Sequence, residues 1–230
     1  MFAILLTFAV IPEELRANDA AALVREVLPG TETRIIHIRD WHLVPKADFA
    51  IDTELVGKDL DDANDQHLRD VERVQKSELK ILAGVRTVYG EGLTEENYPI
   101  YKAEIRSLRP FHHELAKFDP DDGEDSKRIF AEHRMTLLRL GAAGQLMLDE
   151  KLTVRPCEGK EYENRPIKDG KVVLDTKIIG AREDAIVRNL LKQQGTVYLV
   201  LGGAHDLSDN IKRLSKDCGY IVVTPKGYPE

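Results

Sequence analysis

The sequence predicts a three-layer α/β fold, in which a mainly parallel β-sheet is flanked by helices. Short apolar runs typical of buried strands alternate along the chain with segments of helical spacing. The clearest unit has one such run at 197–201, a turn with two glycines, a helical segment at 207–216 and a second run at 220–224. Because a strand–helix–strand crossover makes its strands parallel, we predict that these two runs are parallel neighbours in one sheet.

The remaining elements follow from the same patterns. Strands are predicted at 34–38, 86–89, 152–155, 197–201 and 220–224. Helices are predicted from Pro12 through Val27, over 61–84 and over 181–194, the first because proline in an opening turn favours a helix start. Residues 95–148 are expected to form a helical excursion interrupted by the acidic segment 119–125. Residues 160–177 are predicted to be irregular, with a turn at Asp169-Gly170, and the whole chain, 1–230, to be one α/β domain.

Composition excludes several classes of function. Charged residues make up 32% of the chain and the net charge is −7, which argues against a nucleic-acid-binding surface. The two cysteines, Cys157 and Cys218, lie far apart and form no CxxC pair, so neither a zinc knuckle nor a disulfide framework is indicated. We therefore expect a small-molecule or peptide substrate and no nucleic acid.

The apolar segment 1–11 has two interpretations. It resembles the core of a signal peptide, although no basic residue precedes it, and it also suits a buried first strand. It is too short to span a bilayer, so no stable membrane span is predicted. Both a cytoplasmic and an exported protein remain compatible with the sequence.

Polar side chains follow three of the predicted strands. Asp40 and His42 follow the first, Glu91 lies between two glycines after the second, and His205 follows 197–201. Since ligands bind at the carboxyl ends of parallel strands, we expect these groups to converge on one edge, with His37 as the alternative to His42. Two imidazoles and one or two carboxylates are suitable ligands for a divalent metal ion that keeps an open position for water. The same groups also suit proton transfer without a metal.

Arg182 lies in the first turn of the predicted helix 181–194. One interpretation places it in a surface salt-bridge face with Asp184 and Arg188. The other directs it to the edge of the sheet, where a guanidinium binds an anionic substrate group in bidentate fashion.

The order of these motifs resembles the large TraB/Tiki and ChaN/erythromycin-esterase-like superfamily. The motifs are a strand followed by Asp40-x-His42, a helix with His67 and Gln75, a strand followed by Gly-Glu91-Gly, a helix that begins Ala-Arg182-Glu-Asp, and a strand followed by Gly-Gly-Ala-His205. The resemblance matches Asp40 and His42 to the family's first motif, and His67 and Gln75 to a His…Gln helix of the ChaN-like branch. Arg39 and Asp40 depart from that first motif, where glycine and glutamate are usual.

This resemblance implies chemistry of three kinds: metal-dependent proteolysis, lactone hydrolysis with histidine and glutamate, and binding of haem iron. We expect a hydrolase of an ester, lactone or peptide-like bond, in which Glu91 activates water and His42 and His205 hold a metal or move protons. Arg182 would bind the substrate or the developing oxyanion, and Asp40 and His67 would contribute to substrate binding.

The alternative is a ChaN-like protein that binds haem or a metal without turnover. A haem iron needs an axial ligand such as tyrosine or histidine, and Tyr89 and Tyr98 are the candidate tyrosines.

Overall fold

The computed structural model describes residues 21–30, 32–163, 167–168, 171–172 and 175–229. In chain order its elements are β1 (Ala22–Leu28), β2 (Thr33–Asp40), α1 (Lys46–Thr53), α2 (Gly57–Ile81), β3 (Thr87–Gly90), α3 (Tyr98–Leu115), α4 (Glu124–Leu148), β4 (Thr153–Pro156), α5 (Lys160–Glu163), β5 (Ile167–Lys168), β6 (Lys171–Val172), α6 (Thr176–Leu190), β7 (Gly195–Gly202), α7 (Ser208–Leu214) and β8 (Cys218–Pro225). The segment 1–11, most of the predicted first helix and the turn at Asp169-Gly170 lie outside the described residues.

The main sheet has six strands in the order β1-β8-β2-β7-β3-β4. All its neighbouring strands are parallel except β1 and β8, which are antiparallel. β5 and β6 form a separate two-stranded antiparallel sheet. The predicted mainly parallel α/β fold is therefore confirmed, and the five predicted strands are β2, β3, β4, β7 and β8.

The helical predictions also correspond to observed helices. α2 and α6 begin a few residues earlier than the sequence predicted, and the excursion 95–148 is the pair α3 and α4. The break between α3 and α4 falls on the acidic segment. Among the described helices, none combines the length and apolar character needed to cross a membrane.

One predicted neighbour relation is wrong. β7 and β8 lie in the same sheet and run in the same direction, but β2 lies between them. Ile35, Ile36 and Ile38 of β2 are fully buried, as a central position with both faces covered requires. β7 and β8 are apolar and buried as well, so burial alone does not make them neighbours. The crossover through α7 therefore passes over β2 instead of joining adjacent strands.

The prediction of a first helix is also wrong at its C-terminal end, where Ala22–Leu28 forms the strand β1 instead. It pairs with β8, from Ala22 opposite Pro225 to Leu28 opposite Tyr220, and forms this edge of the sheet. Ala22 and Val24 pack on the core, whereas Leu23 between them is 72% exposed. Pairing with an otherwise open sheet edge thus overrides the helical spacing of the apolar residues.

The two faces of the sheet carry separate apolar cores. Ile36 and Ile38 of β2 contribute to a core that also holds residues of α2 and α4. Ile35, on the opposite face, belongs to a core completed by residues of α6 and α7. This alternation is the two-residue period of a strand, and it makes the sheet the middle layer of three.

Helix α4 is interrupted close to the sheet. Gly141 has φ 67° and ψ 171°, a backbone conformation that glycine adopts without steric cost. Three residues later, a Cβ on Gly144 would lie 3.1 Å from the Tyr101 hydroxyl of α3. The small residues at 141–144 therefore allow the helix to bend and to approach α3 closely.

Candidate active site

The carboxyl ends of β2, β3 and β7 meet at one edge and bring three predicted site residues together. Nε2 of His42 lies 2.8 Å from Oε2 of Glu91. Nε2 of His205 lies 3.7 Å from Oε1 of the same carboxylate, an ion-pair distance. The convergence of His42, Glu91 and His205 predicted from the strand ends is therefore present in the structure.

Backbone contacts with β7 fix the position of Glu91. Its N–H donates to the carbonyl of Val200 at 3.1 Å, and its Oε2 accepts the N–H of Gly202 at 2.6 Å. A Cβ on Gly202 would lie 3.1 Å from both Oε2 of Glu91 and Nε2 of His42. Glycine is needed at this position because the backbone approaches both side chains so closely.

Arg39 connects the end of β2 to the turn after β7. Its Nε and Nη2 donate to the carbonyl of Gly203 at 3.0 and 2.6 Å, and its guanidinium lies 4.4 Å from the ring centroid of Tyr228. The N–H of Gly203 donates to the carbonyl of Asp40 at 3.1 Å. These contacts hold the segments that carry His42 and His205 at a fixed separation.

Both imidazoles make the same pair of contacts. Nδ1 of His42 lies 2.8 Å from Asp40, and Nδ1 of His205 lies 2.8 Å from Glu183, while each Nε2 faces Glu91. Hydrogen bonds to Asp40 and then to Glu91 raise the pKa of His42 to about 11. Hydrogen bonds to Glu183 and then to Glu91 raise the pKa of His205 to about 9. Both side chains therefore carry a proton on each nitrogen at neutral pH.

Replacing His205 with glutamine is expected to lower the free energy of unfolding more at pH 6 than at pH 10. Folding raises the pKa of His205 from 6.5 to about 9, so the stabilisation is complete below pH 6.5 and is lost as the pH rises through 9. A shift of this size limits the contribution to on the order of 3 kcal/mol. Urea unfolding of both proteins at the two pH values measures it, with His113→Gln, at an exposed histidine, as the control. An equal loss at both pH values would contradict the assignment.

Arg182 lies at the edge of the sheet and contacts two carboxylates. Its Nη2 donates to Oε1 of Glu91 at 2.7 Å, and its Nε donates to both oxygens of Glu158 at 3.1 Å. Glu158 has a side-chain exposure of 0% and also accepts the N–H of Gly92. In this arrangement Arg182 holds Glu91 in place, and its direct contact with a substrate stays a prediction. The surface salt-bridge alternative is instead formed by Asp184 with Arg188 and Arg213.

The cations around Glu91 determine its charge. Burial alone would raise the pKa of Glu91, but contacts from His205 and His42 and the charge of Arg182 hold it well below its usual value. The pKa of Arg182 would fall through burial, yet Glu158 and Glu91 raise it. Glu91 is therefore an ionised carboxylate surrounded by three cationic groups.

Two other predicted histidines have structural contacts. Nε2 of His67 accepts the N–H of Val44 at 3.0 Å, and its ring stacks on Phe49, so it supports the loop after His42 and does not reach the cavity described below. His37 is fully buried, and its nitrogens lie 2.8 Å from the Tyr220 hydroxyl and 3.1 Å from the Leu201 carbonyl. Burial lowers the pKa of His37 to about 4. His42, and not His37, faces the site.

A cavity of about 610 Å³ opens beside His42 and Glu91, between α3 and α4. The side chains that line it also include Asp40, Leu43, Gln75, Leu93, Tyr101, Glu104, Leu108, Leu138 and Arg139. Gln75 is held in this wall because it donates to the Leu138 carbonyl at 2.8 Å. Of the described residues, neither Tyr89 nor Tyr98 lines the cavity, and His205 and Arg182 lie behind Glu91.

Three carboxyl groups of the site were not predicted from the sequence: Glu78, Glu158 and Glu183. Glu78 is fully buried on α2, and no donor among the described residues hydrogen-bonds to its oxygens. Burial, the charge of Asp40 and a hydrogen bond to it raise the pKa of Glu78 well above its usual value. We therefore expect Glu78 to be protonated and to donate to Asp40, whose Oδ1 lacks a donor among the described residues and whose Oδ2 contacts His42.

Substitutions at Glu78 test this protonated state. Glutamine retains a donor for Asp40, so Glu78→Gln is expected to change the free energy of unfolding little. Glu78→Leu leaves Oδ1 of Asp40 buried without a donor and is expected to cost about 1–3 kcal/mol. Urea unfolding gives both values, and infrared spectroscopy should show a protonated-carboxyl band in the wild type that Glu78→Gln lacks. A Glu78→Gln loss as large as that of Glu78→Leu would refute the donor role.

The donor set only partly suits a metal ion. A carboxylate on the second nitrogen of each histidine is typical of metal-binding histidines. However, Glu91 already accepts from His42, Gly202 and Arg182, and the guanidinium would repel a divalent cation. Among the described residues, no group of three or more His, Cys, Asp or Glu side chains has the arrangement of a metal site. The metal stays a prediction, and no step below depends on it.

The resemblance to the TraB/Tiki and ChaN/erythromycin-esterase-like superfamily stays a prediction, and the function is inferred from the geometry of this edge of the sheet. Comparison of the chain with family models, with curated proteins and with solved structures found no match in any of the three.

Proposed function

We propose that this chain is a hydrolase of an ester, lactone or peptide-like bond, which reacts where the cavity meets His42 and Glu91. The observation that carries the proposal is the shared geometry of the two histidines. Each has a carboxylate at Nδ1 and directs Nε2 towards the same half-buried Glu91, at 2.8 Å for His42 and 3.7 Å for His205. A histidine oriented by a carboxylate and facing a proton partner is the arrangement that general acid–base catalysis uses.

The charges of the site make Glu91 the base and His42 the acid of the proposed reaction. Glu91 is ionised and accepts the proton of the attacking water, while His42, protonated at Nε2, is the acid. A substrate carbonyl that contacts Nε2 of His42 weakens its contact with Glu91. His42 then loses one of the two carboxylate contacts that raise its pKa, so its proton is released more easily.

The proton transfers balance over one turnover. The oxygen of water bonds to the carbonyl carbon as one water proton passes to Glu91, and the Nε2–H of His42 stabilises the oxyanion. The bond to the leaving group then breaks as His42 donates its Nε2 proton to the leaving atom. The proton on Glu91 returns to His42 across their 2.8 Å contact, and both groups regain their starting charge.

The cavity indicates a neutral and partly apolar substrate. Leu43, Leu93, Leu108 and Leu138 supply apolar wall, and a few polar groups lie at the reacting end, the combination found in small-molecule sites. With Glu104 and Arg139 of the cavity wall included, the site has five carboxylates and four cations. The carboxylates are Asp40, Glu91, Glu104, Glu158 and Glu183, and the cations are His42, Arg139, Arg182 and His205. An anionic substrate is therefore disfavoured relative to a neutral ester or lactone.

The proposal is tested with a panel of p-nitrophenyl esters of increasing acyl length, aliphatic lactones and a fluorogenic peptide. Wild type, Glu91→Gln and His113→Gln are purified identically, because His113 is an exposed histidine outside the site. We expect hydrolysis of at least one neutral ester or lactone by wild type and His113→Gln, with much slower hydrolysis by Glu91→Gln.

Dialysis against a chelator before the assay separates the metal-free mechanism from the predicted metal. Activity that persists after chelation supports acid–base chemistry by the protein side chains alone. Equal rates for Glu91→Gln and wild type on every substrate would overturn the proposal. Haem added to the same preparations tests the alternative, since a new absorption band that disappears in His42→Gln or His205→Gln would favour a binding protein.

A further inference from the structure

The cavity of the candidate active site has a second set of polar side chains, which lie on helices and do not follow strands. Tyr101, Glu104 and Leu108 are three and four residues apart on α3, so they share one face of that helix. All three line the cavity, and Arg139 of α4 lines it too. A substrate in the cavity therefore meets polar groups at two places, at the ends of the strands and along α3.

The hydroxyl of Tyr101 has no hydrogen-bond partner among the described residues. It is not one of the polar atoms that burial closes off from solvent, so a ligand in the cavity can reach it. Gly144 of α4 leaves room for it, because a Cβ at that position would lie only 3.1 Å from the hydroxyl oxygen. Burial, and then the charge of Glu104, raise the pKa of Tyr101 to about 12, so the hydroxyl keeps its proton at neutral pH. Tyr101 therefore offers the cavity a free donor.

The charges beside Tyr101 indicate which kind of group it binds. Within the part of the chain that the structure describes, neither Glu104 nor Arg139 forms an ion pair. A carboxylate on the ligand would be repelled by Glu104, and an ammonium group by Arg139. A hydroxyl avoids both costs, since it accepts a hydrogen bond from Tyr101 and donates one to the carboxylate of Glu104.

We propose that the substrate of the candidate active site carries a hydroxyl group, which Tyr101 and Glu104 bind, and that this contact selects the substrate. This substrate class rests on the proposed hydrolase function and narrows it to a neutral ester or lactone with a hydroxyl on its acyl chain or ring. The leucines of the cavity cover the apolar part of such a molecule, while His42 and Glu91 face its carbonyl group.

Tyr101 discriminates because its hydroxyl loses water when the apolar part of a substrate fills the cavity. A hydroxyl on the substrate replaces the lost hydrogen bond, whereas the same chain without one leaves the phenol unpaired. Sites built around such a contact reject an analogue that lacks the hydroxyl more strongly than sites that select by size alone. Glu104 is exposed and stays partly hydrated, so we expect a preference of about 10–100-fold and not the larger values of fully buried sites.

The test compares methyl octanoate with a series of esters that carry one hydroxyl at successive positions of the same chain. For wild type, kcat/KM of the best hydroxylated ester should exceed that of methyl octanoate by about 10–100-fold. Tyr101→Phe keeps the ring and removes only the donor, so it should lower this ratio by about 3–10-fold. Glu104→Ala removes the acceptor and should lower the ratio as well. Tyr98→Phe is the matched control, because Tyr98 lies one turn earlier on α3 and does not line the cavity.

Titration calorimetry separates the hydroxyl contact from the proposed reaction. The matching methyl ketones have no leaving group, so they report binding whether or not any ester is hydrolysed. Relative to the plain ketone, the best hydroxylated ketone should lose about 3–10-fold in affinity on going from wild type to Tyr101→Phe. If no ester is hydrolysed but this difference is present, the hydrolase proposal fails and the hydroxyl site stands.

Three results would overturn the proposal. The first is an equal kcat/KM for plain and hydroxylated esters, or a ratio that is the same in wild type and Tyr101→Phe. The second is an equal loss of the preference in Tyr98→Phe, which would indicate a general disturbance of α3. The third is a stronger preference for an ester with a terminal carboxylate that Arg139→Met abolishes, which would identify an anionic ligand.

Discussion

Replacing Glu91 with glutamine is expected to lower the rate of hydrolysis by a factor of about 10²–10⁴, the usual contribution of a general acid–base group. Glutamine has nearly the same shape but neither takes a proton from water nor returns one to His42. It also removes the negative charge that faces Arg182, His42 and His205. The rate is measured as kcat on the best substrate of the ester and lactone panel, with His113→Gln as the control.

A second measurement separates loss of the base from a general disturbance of the site. NMR titration of His205 should give a lower pKa in Glu91→Gln than in wild type, because contact with Glu91 helps to raise it. His67, which has no contact with Glu91 among the described interactions, should titrate as before. A reduced rate with an unchanged pKa of His205 would contradict the charge network described above.

Replacing Arg182 with methionine is expected to cost about 3–5 kcal/mol of unfolding free energy, because it leaves the buried Glu158 without its cation and removes one of the three cations around Glu91. Arg134→Met is the matched control, since Arg134 pairs with Glu72 at side-chain exposures of 51% and 48%. An exposed pair of this kind contributes about 0–1 kcal/mol. Urea unfolding of the three proteins at pH 7 measures both costs.

The double variant Arg182→Met with Glu158→Gln checks the cause of that loss. Removing both charges of a buried pair is often nearly neutral, so the second substitution should recover part of the stability that Arg182→Met loses. Equal losses for Arg182→Met and Arg134→Met would show that the Arg182 contacts contribute no more than a surface pair.

Most strands and three of the site residues were predicted from the sequence because they depend on local patterns. A strand that is buried on both faces appears in the sequence as an apolar run. The carboxyl ends of parallel strands lie at one edge of the sheet, whatever the order of the strands. His42, Glu91 and His205 were found by this argument alone. Glu158 lies just past β4 and satisfies the same criterion, so a wider use of it would have found this residue too.

The remaining features depend on contacts between distant segments. β2, β7 and β8 all carry apolar runs that are buried on both faces, so no local pattern decides which of them lies in the middle. Glu183 resembles any surface acid of an amphipathic helix until His205 is placed beside it. Glu78 did carry a signal, since it continues the inner face of α2 formed by Val71 and Val74, where a carboxylate is unusual.

The position of β2 between β7 and β8 limits how early the sheet can form during synthesis. β2 is complete after 40 residues, whereas both of its neighbours begin at residue 195 or later. Its isoleucines therefore lack their strand partners while most of the chain is being translated. An apolar strand with open edges invites pairing with other chains. On the ribosome, this chain should accordingly be a client of chaperones that bind extended apolar segments until β7 and β8 emerge and enclose β2.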